Sequence, residues 1–231
     1  MSIEVNDYEI AIRESYIELI NKYKHLSNLL YLLNKTNKIY IFGGWLRDIL
    51  HNYFHNDSVS WQDVDIVVDG QINEKCLPTF TRSNFGGYRF NFAQNKKTDF
   101  WELKKTLAFK LNLLPISVEN IIMTTVFNMN ALLFDITTYR LMGDNAIEDI
   151  KNKYIRFNCK EYLDYYPELQ VYRAYYYSEK LGYKIDNEII RFAKKNLYAK
   201  NEVGFLNLIL KHKSWVSLEE IEQLYSFYNK L

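Results

Sequence analysis

The sequence predicts an α+β fold: a small mixed β-sheet with flanking helices, followed by an all-helical C-terminal region. Apolar residues recur at helical spacing near the N-terminus, short strand-forming runs broken by turn residues fill the middle, and the pattern turns helical again after about residue 158. At 231 residues the chain is long enough for one sizeable domain carrying a smaller helical appendage. The expected division is a leading helical segment over 1–36, a head domain over 37–157 and a helical region over 158–231.

In order along the chain, Tyr8, Ile12, Tyr16, Ile20, Tyr23, Leu26 and Leu30 form one stripe at helical spacing and predict the leading helical segment. "KIYIF" predicts a short buried strand over 38–42, and "WLRDILHNYF" a helix starting directly after Gly43 and Gly44. "DVDIVVD" predicts the next strand, within 62–69. "GGYRFNFAQNKKTDFWEL" predicts a hairpin, with strands over 86–93 and 98–104 around a polar turn at 94–97. "TTVFNMNALLFDITTYRLM" predicts two further strands within 127–142, connected tightly near Asp135. Near the end, Ser217 with Glu220 three residues on is an N-cap pattern for a last helix.

Composition narrows the function without naming it. A formal net charge of +1 gives no global attraction to nucleic acid or membrane, so any phosphate affinity must be local. Cys76 and Cys159 are far apart and follow no metal-ligand spacing, which fits a reducing compartment better than a disulfide. No basic n-region leads an apolar run at the N-terminus, and no segment approaches eighteen uninterrupted apolar residues. A soluble cytoplasmic protein with no membrane partner is expected.

The chemistry concentrates in "IYIFGGWLRDIL" and "WQDVDIVVDG". Between a strand and a helix, paired glycines let the backbone turn sharply and approach a bound group with no Cβ in the way. The free amides of the following helix favour an anion there. Arg47, in the first turn, carries a guanidinium that can fork onto phosphate oxygens. Asp63 and Asp65 alternate on a strand and so share a face, while Val64, Ile66 and Val68 face the core. Carboxylates roughly 6–7 Å apart at Cα repel unless a cation sits between them, and Mg²⁺ is hard, oxygen-seeking and shares carboxylates with phosphates.

With that order and spacing, the chain resembles the head domain of the poly(A) polymerase and tRNA nucleotidyltransferase (CCA-adding) family. The shared turn "GG-x-x-RD-x-L" followed by "D-x-D" falls here on Gly43, Gly44, Arg47, Asp48, Leu50, Asp63 and Asp65. "NMNALLFD" looks like the family's asparagine segment, with Asn130 matching the asparagine. "DNAIEDIKNKYIRF" looks like the stretch that closes the head, and "LQVYRAYYYSEKLGYKID" is similar to the first neck helix, with Arg173, Leu181 and Gly182 on familiar positions. The resemblance runs from about residue 38 to 190. It implies a nucleotidyltransferase-type mixed sheet followed by a helical neck.

It also implies a reaction: in-line attack of an acceptor hydroxyl on the α-phosphate of an NTP, with pyrophosphate released. Two Mg²⁺ ions, or Mn²⁺ in their place, are expected on Asp63 and Asp65, with RNA (tRNA by resemblance) as acceptor. Gly43, Gly44, Arg47, Asn130 and Arg173 are the expected nucleotide contacts. Asp48 is expected to brace Arg47 or the loop. A third carboxylate is implied from a neighbouring strand to activate the attacking hydroxyl. Asp99 and Glu102 are three apart and face opposite sides, and Asp99, nearer the rim, is the expected catalytic acid; the alternative is a turn-flanking acid after "NKK".

The chain also departs from the family. Thr124, Thr125 and Val126 stand where the family has arginine, arginine and aspartate. Tyr166, Pro167 and Gln170 stand where glutamate, aspartate and arginine select the incoming base, so ordered CCA addition is not expected. Little sequence follows the neck. A nucleotidyltransferase acting on a small molecule or protein, or a non-catalytic nucleotide- or RNA-binding descendant, is the alternative.

His51 and His55, four apart, could share a zinc on one helix face, but no third ligand is evident and a solvated helix end is expected. Leu169, Tyr172, Tyr176 and Leu181 form a packing face, leaving Tyr175 or Tyr177 to stack on a base.

Overall fold

The computed structural model describes residues 6–83, 86–160 and 167–197. The chain separates into two compact units, Met1–Thr125 with Met129–Lys151, and Val126–Asn128 with Asn152–Leu231.

In the first unit, α1 (Asp7–Lys22) and α2 (Lys24–Asn34) lead into β1 (Lys38–Phe42), α3 (Gly44–His55) and β2 (Asp63–Asp69). Strands β3 (Thr81–Arg82), β4 (Tyr88–Ala93) and β5 (Lys96–Glu102) follow, then the short helices α4 (Leu107–Lys110) and α5 (Val118–Ile121). Strands β6 (Leu133–Asp135) and β7 (Leu141–Met142) and helix α6 (Asp144–Lys151) complete the unit. All seven strands form one mixed sheet in the order β3-β4-β5-β2-β1-β6-β7, with β2 and β5 parallel and the other neighbours antiparallel.

One face of this sheet is the core. Val64, Ile66 and Val68 of β2 and Ile39 and Ile41 of β1 are fully buried, and α2 and α3 pack on these strands. Each such side chain contributes about 1.5–3 kcal/mol by leaving water. The single stripe expected over 6–35 divides into two helices at Tyr23, whose ring meets Phe92 at 5.1 Å and Trp61 at 6.0 Å, both edge-on. After the break the buried residues shift to Leu26, Leu29, Leu30 and Leu33.

The strand expected from residue 127 begins only at Leu133, after a 3₁₀ turn at Asn128–Asn130. Its ladder partner explains this: Leu133 pairs with Phe42, the last residue of β1, and the chain then turns away at Gly43. The hairpin strands run closer than expected, joined by Gln94 and Asn95, the latter at φ 55°, with a bulge between Asn91 and Ala93.

The second unit contains β8 (Tyr154–Ile155), α7 (Pro167–Leu181), β9 (Lys184–Ile185) and α8 (Asn187–Leu197). The expected helices are joined by a feature the periodicity does not reveal, a parallel two-stranded ladder of β8 and β9. Val171, Tyr172, Ala174, Leu181, Tyr183, Ile189 and Ala193 are buried in this unit. Gly182, at φ 66°, ends α7 in the left-handed conformation that glycine adopts without penalty. Tyr166, Ser217 and Glu220 lie outside the described residues.

Candidate functional site

The glycine turn is built by the end of β1. Gly43 has φ 75° and ψ −124°, a conformation strained for any residue with a Cβ. Its amide donates to Leu132 O at 3.0 Å, and its carbonyl accepts the first helical bond from Arg47 N at 3.2 Å. Helix geometry leaves the amides of Gly44, Trp45 and Leu46 without an intrahelical acceptor, at the positive end of a twelve-residue helix. A Cβ placed on Gly43 would stand 3.9 Å from Asp65 Oδ2 and 3.9 Å from Asn130 O. Such a Cβ would be in ordinary contact with both, so the turn lies directly beside the Asp65 carboxylate.

Beneath the turn lies a buried polar network. Arg47 donates through Nε (2.8 Å) and Nη2 (2.6 Å) to Asp48 Oδ1 and through Nη1 (2.6 Å) to Asn130 Oδ1. The Arg47 and Asp48 side chains are each 4% exposed, and Asn130 is buried as well. Three donors of the guanidinium expected to fork onto phosphate are therefore directed at Asp48 and Asn130. The network fastens the first turn of α3 to the segment that also holds Gly43.

Beside the turn, the sheet register lines up one row of side chains. Arg89 of β4 is opposite Asp99 of β5, Asp99 opposite Asp65 of β2, and Asp65 opposite Phe42 of β1. Asp63, two residues earlier on the same face, is opposite Lys97. Asp63 is exposed and Asp65 half-buried. Arg89 forks onto Asp99, with Nε donating to Oδ1 and Nη2 to Oδ2, each at 2.7 Å. Its guanidinium is held above its ordinary pKa chiefly by the hydrogen bonds it donates to Asp99; partial burial opposes this, and the charges of Asp99, Asp63 and Asp65 reinforce it. Glu102 lies on the opposite face of β5, accepting from Ile72 N at 3.2 Å and pairing with Lys105 and Lys104. Among the described residues, no group of three or more His, Cys, Asp or Glu is arranged to hold a metal ion.

Arg89 is the residue that sequence reasoning missed. Its alternation within "YRFNF" marks it as a face opposite Tyr88 and Phe90, but its partner depends on the bulge.

The remaining candidates lie elsewhere. Arg173 is half-buried on α7 in the second unit, where Gln170 is buried and Pro167 opens the helix. Tyr177 packs edge-on against Phe127 at 6.0 Å, and the rings of Tyr172 and Tyr176 stack at 6.3 Å. Thr124 and Thr125 donate their hydroxyls to the carbonyls of Ile121 and Ile122. His51 and His55 do not form a solvated helix end: His51 is fully buried with Nε2 at 3.2 Å from Asp57 Oδ2, and His55 Nε2 is 2.8 Å from Ile150 O. Packing of α6 against α3 is what covers that end. Cys76 is exposed and Cys159 buried. No helix among the described residues is long and apolar enough to cross a membrane.

No protein-family model matches the chain, and no curated protein matches it by sequence. Solved structures do match. A CCA-adding enzyme with ATP aligns over 92% of this chain and 52% of its own, with TM-score 0.63 and 16% identity. The Thermotoga maritima CCA-adding enzyme complexed with tRNA aligns over 92% and 51%, with TM-score 0.60 and 16% identity. A tRNA nucleotidyltransferase complexed with a primer tRNA and an incoming ATP analog aligns over 84% and 58%, with TM-score 0.59 and 21% identity. The chain thus has the mixed-sheet fold found in CCA-adding enzymes and spans about half the length of the structures it matches.

Proposed function

We propose that the chain is a nucleotidyltransferase that moves a nucleoside monophosphate from an NTP to an acceptor hydroxyl, releasing pyrophosphate, with a tRNA-like RNA 3′ end as acceptor. The observation that carries this reading is the junction of the glycine turn with the acidic strand, where a Cβ on Gly43 would stand 3.9 Å from Asp65 Oδ2. Helix amides on one side of it favour an anion, and a carboxylate on the other repels one unless a cation intervenes. Together they suit a polyphosphate carried with a divalent cation, which matches the oxygen donors present. Structures of this fold solved with ATP, CTP and tRNA support the same substrate classes.

In this reading the amides of Gly44, Trp45 and Leu46 bind the phosphate tail, and Gly43 lets the backbone approach it. Arg47, Asp48 and Asn130 hold the turn in place from beneath. Asp63 and Asp65 would hold Mg²⁺, or Mn²⁺ in its place, which when bound neutralises charge on the transferring phosphoryl group and acidifies the attacking hydroxyl. The acceptor oxygen bonds to the α-phosphorus, the α–β bridging bond breaks, and its electron pair leaves with pyrophosphate while the hydroxyl proton passes to solvent. Because Pro167 and Gln170 do not supply the family's base-selecting side chains, ordered CCA addition is not part of the proposal.

Incubation with each labelled NTP, Mg²⁺ and total RNA tests the reading. Label is expected in RNA and is expected to disappear in Asp63→Asn. Full transfer by Asp63→Asn would sink the assignment. Label in a small molecule would replace the acceptor, and NTP binding without transfer would leave a binding module.

A further inference from the structure

Asp99 is the acid best placed to join Asp63 and Asp65, yet both of its carboxylate oxygens accept from Arg89 at 2.7 Å. This fork is not a distant surface pair. Register puts Arg89 on the same sheet row as Asp65, and its guanidinium feels Asp63 and Asp65 as well as Asp99. A cation approaching Asp99 must displace two charge-assisted hydrogen bonds and meet a fixed positive charge. That charge does not titrate away, since a guanidinium stays protonated at every working pH. Lys97, opposite Asp63 in register, lies on the same face. Three acids occupy the face, and among the described residues no group of three or more His, Cys, Asp or Glu is arranged to hold a metal ion.

We propose that Arg89 sets the cation count of this site: by holding Asp99, it limits the face to one divalent cation on Asp63 and Asp65, and its removal admits a second through Asp99. The inference rests on the reading of Asp63 and Asp65 as cation ligands given above. Arg89 is then a positioning residue, acting through Asp99 on a site it does not itself ligate. A purely structural surface pair would leave the count unchanged.

Mn²⁺ titration of the full chain, followed by electron paramagnetic resonance and competed with Mg²⁺, reads the count without any turnover. One Mn²⁺ per chain is expected for the natural sequence and for Asp99→Asn. Two are expected for Arg89→Gln, and one again for Arg89→Gln combined with Asp99→Asn. Arg89→Ala, which likewise removes both the charge and the fork, is expected to take up two and serves if Arg89→Gln fails to fold. No Mn²⁺ on any of these proteins would sink the reading of Asp63 and Asp65 as ligands. Any other pattern, including one ion on Arg89→Gln or two on the natural sequence, would overturn the role of Arg89 and leave that reading standing.

Discussion

Two arginine–aspartate pairs in the first unit use nearly the same contact in opposite surroundings. Arg47 and Asp48 are adjacent in sequence, meet at 2.6–2.8 Å and are each 4% exposed. Arg89 and Asp99 stand on different strands, meet at 2.7 Å and are 43% and 24% exposed. Burial, and not contact geometry, decides what each contributes. In the interior, removing one partner strips a charge of its compensation where water cannot replace it. At the surface water does replace it, and the net contribution is small. The buried pair belongs to the architecture of the turn; the open pair remains free to answer to a ligand.

Mutations test this contrast. Arg47→Ala is expected to have the largest effect, about 3–5 kcal/mol off the unfolding free energy in a urea titration. A loss below about 1 kcal/mol would place the buried pair in the same class as the open one.

Glu102 sharpens the comparison because it is buried yet pairs with lysines at the surface. Burial pushes its carboxyl pKa up, but the Ile72 amide, Lys105 and Lys104 outweigh burial and hold it below the ordinary value. Its contribution is therefore complete above the ordinary glutamate range and is lost as pH falls through the depressed value. Glu102→Gln is expected to cost about 1–3 kcal/mol at neutral pH and to flatten the acid limb of the stability curve. Identical acid limbs in the two proteins would remove Glu102 from the account.

The glycines separate next. Gly43→Ala forces a side chain into positive φ and is expected to cost about 1–3 kcal/mol. Arg89→Gln is expected to change stability by less than about 1 kcal/mol in the same titration, whatever it does to cation binding. Gly44→Ala comes last: its Cβ would meet nothing nearer than the Arg47 guanidinium at 3.6 Å, and a change within about 0.5 kcal/mol is expected. A Gly44→Ala cost equal to that of Gly43→Ala would show that the turn needs both glycines for folding.

Much of the fold was legible from local pattern. "KIYIF" is β1 to the residue, and period-two alternation in "DVDIVVD" separated the acids from the buried Val64, Ile66 and Val68. Alternation of the two faces follows from strand geometry itself. The break at Tyr23 was not legible, because helical spacing continues through it and the ring contacts made there, with Phe92 and Trp61, are to residues distant in sequence. Arg89 was hidden for a similar reason. Projected from the Ala93–Lys96 pair, Asp99 would stand opposite Phe90; the bulge beside Asn91 slips the strand by one residue and delivers Arg89 instead.

By itself, then, the sequence determined which residues could turn, bind and repel: glycines after a strand, acids alternating on the next, an arginine at a helix start. Those properties reside in single residues and their immediate spacing. The Arg47–Asp48 contact was expected from sequence, but only the tertiary structure decided its burial with Asn130 and the forking of Arg89 onto Asp99. Charge pairing depends on strand register and on distance from water, and both are set by segments far apart in the chain.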